Sequence, residues 1–187
     1  MNRAAQARRC VGVLALTLPL ASHTAAQPDV VSAPALKAAF LYNFAKFAEW
    51  PPDALAAGDK LVLCVIGDDE VARALDLSVN GRSIEGHDVT VRKIALDAAR
   101  ACHLAYVAAL DPKRALQFIA SVKGAAIFSV SDGERFAESG GVAQLFTENS
   151  RMRFAINVAS AQRARLQISS RLLTLAKVVK DDLHGQD

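Results

Sequence analysis

Three groups of residues have the types and spacing that chemistry requires. The first is acidic: Asp68, Asp69 and Glu70 follow the apolar run Leu61–Ile66, and Asp111 follows the run Cys102–Leu110. Carboxylates at the ends of two strands could gather round a cation and accept a phosphoryl group. Helix capping accounts for the same residues. Asp68 and Asp111 each stand where an N-cap is needed, and Asp69 and Glu70 lie at the positive end of a helix dipole. The second group is Ser129-Val130-Ser131-Asp132-Gly133, where a serine follows an apolar strand as in a hydrolase nucleophile elbow. The first glycine of G-x-S-x-G is missing, and the only downstream histidine is His184, so Ser131 reads as a turn residue. The third group is His87, His103 and His184, which have no metal-ligand spacing. No dinucleotide or Walker loop occurs, and the glycine of "VIGDD" precedes carboxylates that would repel phosphate. No catalytic set, metal site or cofactor is expected.

The elements that position these residues lie behind a leader. Arg3, Arg8 and Arg9 precede the apolar stretch Val11–Ala21, and Thr24-Ala25-Ala26 supplies small residues for a signal peptidase. Cys10 follows Ala7-Arg8-Arg9, which is not a lipoprotein setting. Export with cleavage after Ala26 is expected, leaving residues 27–187 as one domain outside the cytoplasm. Removing three arginines and no acids leaves 19 basic against 19 acidic residues. A neutral chain carries no basic stripe for nucleic acid. Cys64 and Cys102 remain, and an even pair in an oxidising compartment implies a disulfide.

Pro34 suits the first turn of a helix running to about Trp50, where Pro51 and Pro52 stop it. Leu61–Ile66 reads as a strand covered on both faces. A helix follows to about Leu77, then a strand around Val89 and Val91. Cys102–Leu110 is the third strand, and Asp111, Pro112 and Gly124 delimit a helix. Ala125–Val130, Val142–Phe146 and Met152–Val158 complete six strands, with a short helix after Gly133. A last helix starts near Ser169, with Leu172, Leu175, Ala176 and Val179 as its buried stripe. The expected fold is a single-domain α/β layered sandwich, a central mixed sheet of about six strands flanked by helices.

The first helix holds Phe40, Tyr42, Phe44, Phe47 and Trp50, nearly half of the chain's aromatic residues. Leu36, Phe40, Phe44 and Phe47 form one stripe, expected to be core. Lys37, Lys46 and Glu49 exclude a membrane-spanning helix. Tyr42 and Trp50 lie off the stripe and suit a pocket mouth or a partner face.

Two blocks carry a resemblance. "LKAAFLYNFAKFAEWP" (Leu36–Pro51) and "RFAINVASAQRARLQISSRLLTLAKVV" (Arg153–Val179) resemble the opening and closing signatures of the YfiR-like family. The matching features are Tyr42-Asn43-Phe44, Trp50-Pro51, Phe154-x-Ile156-Asn157-Val158 and Ile168-Ser169-Ser170-Arg171-Leu172-Leu173. Between them, "LVLCVIGDD" and "RSIEGHDVTVRKI…ACHLAYV" place Cys64 and Cys102 where members carry a linked pair. A second pair, carried by some members in the 130s and 140s, is absent.

The resemblance implies a periplasmic regulator, not an enzyme. Such a protein restrains an inner-membrane diguanylate cyclase by binding its periplasmic domain, and so controls cyclic di-GMP and biofilm formation. It implies a homodimer, and an outer-membrane OmpA-like lipoprotein as a second partner. Trp50, Asp53, Arg153, Asn157, Ser169, Ser170 and Arg171 are expected to line a pocket or contact face. The alternative is a small-molecule sensor without a cyclase partner.

Overall fold

Leu61–Ile66 is buried at every position, because it lies inside a sheet with a hydrophobic core on each face. The computed structural model describes residues 32–181. The expected leader, residues 1–26, lies outside them.

The elements run α1 (Ala33–Lys46), β1 (Ala48–Glu49), β2 (Leu61–Ile66), α2 (Asp69–Val79), β3 (Ser83–Ile84) and β4 (His87–Lys93). A 3-10 helix (Leu96–Ala101), β5 (Leu104–Val107), α3 (Pro112–Ser121), β6 (Phe128–Ser131) and β7 (Ala143–Glu148) follow. The described residues end with β8 (Arg151–Asn157), α4 (Val158–Arg163), β9 (Gln167–Ile168), α5 (Ser170–Leu175) and β10 (Lys177–Val179).

Eight strands form one mixed sheet in the order β10-β8-β7-β6-β5-β2-β4-β3. The six strands read from the sequence are its middle six; β3 and β10 extend its edges. Strands β4, β2, β5, β6 and β7 are parallel neighbours, while β7–β8 and β3–β4 pair antiparallel. The chain leaves β2 first for β4 on one side and then for β5 on the other. This makes the β2–β5 seam the switch point of a doubly wound sheet.

Alternation along the strands separates two cores. Leu61, Leu63, Val65, Leu104, Tyr106, Phe128, Phe154 and Ile156 pack under α1 and α2. Val62, Cys64, Ile66, Ala105 and Val107 pack against Ala99, Phe118, Val122 and Phe136 on the other face. In α1 the deepest residues are Ala38, Leu41, Phe44 and Ala45. Phe40 and Phe47 of the expected stripe are only partly buried. Phe44 stacks on Phe128 with ring centroids 5.5 Å apart and meets Phe154 edge-on at 5.1 Å.

The disulfide joins Cys64 of β2 to Cys102, the residue that ends the 3-10 helix before β5. It ties the second layer to the centre of the sheet. Asp68 and Asp111 cap α2 and α3, accepting from Val71 N–H at 3.0 Å and Arg114 N–H at 3.1 Å.

Three local expectations are corrected. The first helix ends at Lys46, not near Trp50, because the next residues pair with another strand: Ala48 with Ile168 and Glu49 with Gln167. The residues after Gly133 form turns and no helix. The last helix stops at Leu175, and Lys177–Val179 joins β8 as a parallel edge strand. Leu172 is buried as expected, whereas Leu175 is 71% exposed and belongs to no buried stripe. Capture of the backbone by the sheet edge overrides the helical period in that segment.

Candidate functional site

The groove with most of the sequence's unassigned polar and aromatic residues forms where α1 gives way to β1. Trp50 precedes Pro51 and so avoids helical backbone, and Ala48 and Glu49 are extended against β9. Ser169 N–H then donates to Phe47 O at 2.9 Å. This ribbon carries the start of α5 to the end of α1.

Tyr42, Lys46, Phe47 and Glu49 face Ser169 and Arg171 across a hollow of about 460 Å³. Its third side is Ser83, Ile84 and Glu85. Glu85 and Gly86 have φ of 50° and 87°, which makes the β3–β4 hairpin tight enough to bring that side in. A smaller hollow of about 170 Å³ shares Glu49, Ile84 and Glu85 and continues to Trp50, Leu55 and His87. The two form one groove at the amino-terminal ends of β2 and β4.

The groove is polar but unneutralised. The side chains of Lys46, Glu49, Glu85 and Arg171 form no salt bridge among the described residues. Lys46 Nζ lies 5.8 Å from the Phe47 ring centroid, and the Arg82 guanidinium lies 5.4 Å from that of Tyr42. Exposed charges beside half-buried rings suit a partner surface carrying both signs.

Trp50 closes one end. Its Nε1–H donates to His103 O at 3.1 Å, and the two rings meet edge-on with centroids 6.2 Å apart. Burial holds the His103 imidazole below the ordinary histidine value, outweighing the hydrogen bond to Ala54 O that favours its proton.

Of the residues expected at the site, Ser169 and Arg171 line the larger hollow and Trp50 the smaller. Asp53 lies on the loop after Trp50, 2.7 Å from Arg165; that hydrogen bond holds its carboxyl below the usual range. Ser170 is exposed and its carbonyl accepts from Thr174 Oγ1 at 2.9 Å. Arg153 is exposed on β8, opposite Phe146. Asn157 is fully buried. Its Oδ1 accepts from Ser160 N–H at 2.9 Å, and its Nδ2 donates to Ala137 O at 2.8 Å and to Asp181. Lys46, Glu49 and Glu85 also line the hollows and His103 fastens Trp50; no local motif marks these four for the site, because each comes to it through a tertiary contact.

The other chemical groups resolve into structure. Ser131 Oγ accepts from Gly133 N–H at 3.0 Å inside a buried turn. Among the described residues no group of three or more His, Cys, Asp or Glu could hold a metal ion. None of their helices is long and apolar enough to cross a membrane.

A profile of the YfiR/HmsC-like family matches residues 34–177. The chain belongs to this family. No curated protein matches it at a meaningful level. The matched YfiR/HmsC-like span begins in the first turn of α1 and ends at the start of β10. It therefore includes every element of the groove and both disulfide cysteines.

Proposed function

We propose that the protein is a periplasmic regulator that acts by contact, restraining an inner-membrane diguanylate cyclase through that enzyme's periplasmic domain. Cyclic di-GMP output and biofilm formation are the processes it would lower. The observation that carries this reading is family membership across residues 34–177. The groove supports it, offering Lys46, Glu49, Glu85 and Arg171 without internal counter-ions beside Tyr42, Phe47 and Trp50. Export with removal of residues 1–26, a homodimer and sequestration by an OmpA-like lipoprotein belong to the same proposal. So does a contact face that extends from the groove to Asp53, Ser170 and Arg153; Asn157, fully buried and engaged in capping α4, is not part of that face.

The test is capture from detergent-solubilised inner membranes with tagged mature protein. A membrane protein with a cyclase domain should be retained by the wild type and lost by Lys46→Ala/Arg171→Ala. Deleting the gene should raise cyclic di-GMP. Failure to retain any cyclase, with cyclic di-GMP unchanged on deletion, would reject the proposal. One feature favours a second reading, a small-molecule sensor. A separate hollow of about 490 Å³ lies between α3 and α4, with Ile119, Val122, Ile127 and Val142 as apolar walls and Ser160 and Arg163 at one side.

A further inference from the structure

The Trp50 end of the groove is fastened to one residue, His103, by its carbonyl and its ring. Val62 N–H donates to His103 Nδ1 at 2.9 Å, so that nitrogen carries no proton. Nε2 must then carry it, and it donates to Ala54 O at 3.0 Å. Only the neutral Nε2–H tautomer keeps both bonds. The His103 carbonyl takes the Trp50 indole N–H, and the ring packs edge-on against the indole. Two ends of the segment Trp50–Ala54 are therefore fastened to one residue.

We propose that protonation of His103 releases the Trp50–Leu55 wall and reshapes the groove in acid. The inference rests on the groove being the docking surface. A proton on Nδ1 sets a donor against the Val62 N–H and places a cation in a half-buried site next to the indole. Both effects act against the present packing. The charged and titratable groups that act on the ring are few. Asp59 favours the cation, His87 opposes it, and His87 Nδ1 is itself 2.8 Å from Asp59 O at the far end of the loop. Desolvation outweighs Asp59, so the switch lies on the acid side of the ordinary histidine value of 6.5. The Asp53–Arg165 pair holds the outer side of the loop independently, so release is local and leaves the fold standing. A periplasmic protein meets such pH values because that compartment follows the medium.

Trp50 is the only tryptophan of the chain, so its fluorescence reads the wall directly. Mature protein is titrated from about pH 8 to about pH 4.5, spanning the histidine range. A reversible red shift of Trp50 emission is expected, with a midpoint below 6.5 and no change in far-UV circular dichroism. Nitrogen-15 spectra of labelled histidine should show His103 passing from the Nε2–H form to the imidazolium at the same midpoint. His103→Gln should abolish the shift and His87→Gln should keep it. If His103→Gln does not fold, the imidazole spectra of the wild type decide alone. The inference is overturned if His103 protonates while Trp50 emission stays constant, if the shift follows His87, or if the far-UV signal moves with it. Partner capture at neutral pH by Lys46 and Arg171 variants tests the groove by itself. A missing switch with groove-dependent capture overturns only this inference; a working switch with capture indifferent to the groove overturns only the docking proposal.

Discussion

Lys37 Nζ donates to Asp132 Oδ2 at 2.6 Å, across 95 positions of sequence, and lies 3.6 Å from Asp68 and 3.1 Å from the hydroxyl of Tyr106. The lysine comes from α1, and its partners come from the carboxyl ends of β2, β5 and β6. Open α/β sheets commonly receive ligands outside those strand ends, at the seam where the winding reverses. Here the protein's own ammonium fills the position, and the exposed groove lies at the opposite ends of the strands.

Replacing that ammonium should therefore cost stability. Partial burial pushes the Lys37 pKa down, but the bonds to Asp132 and Tyr106 outweigh it and hold the group above the ordinary lysine value. Lys37→Met leaves Asp68 and Asp132 close together without a counter-ion and is expected to destabilise by about 2–3 kcal/mol. Adding Asp132→Asn should recover part of the loss, so urea unfolding of the two single variants and the double variant gives the coupling. A raised folded-state pKa makes the contribution constant below 10.5 and lost only as pH rises through the folded value. Equal unfolding midpoints for Lys37→Met and wild type would contradict the account.

The disulfide between Cys64 and Cys102 closes 38 positions of sequence. A loop of that length restricts the unfolded chain by about 4 kcal/mol in the chain-entropy description. Both cysteines are buried, so reductant should act slowly under native conditions and quickly in partial denaturant. Cys64→Ala/Cys102→Ala should lower the melting temperature by well over about 5 °C. A variant that melts with the wild type would show that the bond restrains nothing.

What the sequence disclosed followed from local physics. Leu61–Ile66 was readable because a strand covered on both faces must be apolar throughout. Asp68 and Asp111 announced two helix starts because the cap and the first turn are neighbours in sequence. The segment 170–179 misled because its apolar residues recur at helical spacing, while the decisive fact is the edge that β8 offers 22 residues earlier. The groove was half legible. Trp50, Ser169 and Arg171 stand out by residue type and place, but Lys46 and Glu85 join them only once β1 pairs with β9 and the β3–β4 hairpin closes, and His103 enters only through its contact with Trp50. Asn157, an outward-facing polar residue by strand alternation, is instead turned inward to start α4.

That inward amide gives a third prediction. Asn157 caps α4, supports the turn at Ala137 and meets the carboxylate of Asp181, which also pairs with Arg163 at 2.6 Å. Asn157→Ala removes the cap and leaves Ala137 O without its buried donor. A loss of about 2–4 kcal/mol is expected in chemical denaturation. Asn157→Asp should be no better, because it sets a carboxylate beside that of Asp181. Arg153→Ala on the same strand, exposed and opposite Phe146, should stay within about 0.5 kcal/mol of wild type.

The last prediction concerns acid and the global stability of the fold. Burial holds folded His103 below the value of 6.5 that the unfolded chain should show. Between those two values the unfolded state binds more protons than the folded one, so stability must fall as pH falls. The contribution is complete above 6.5 and declines through the window beneath it. One whole proton would set a slope of about 1.4 kcal/mol per pH unit, and solvent reaching the half-buried ring keeps the slope below that. Carboxylates such as Asp53, held low by Arg165, add their own loss only at more acid pH. Urea midpoints measured for wild type and His103→Gln across this window should diverge, the variant giving the flatter profile. Parallel profiles would place the proton elsewhere and remove His103 from the acid response.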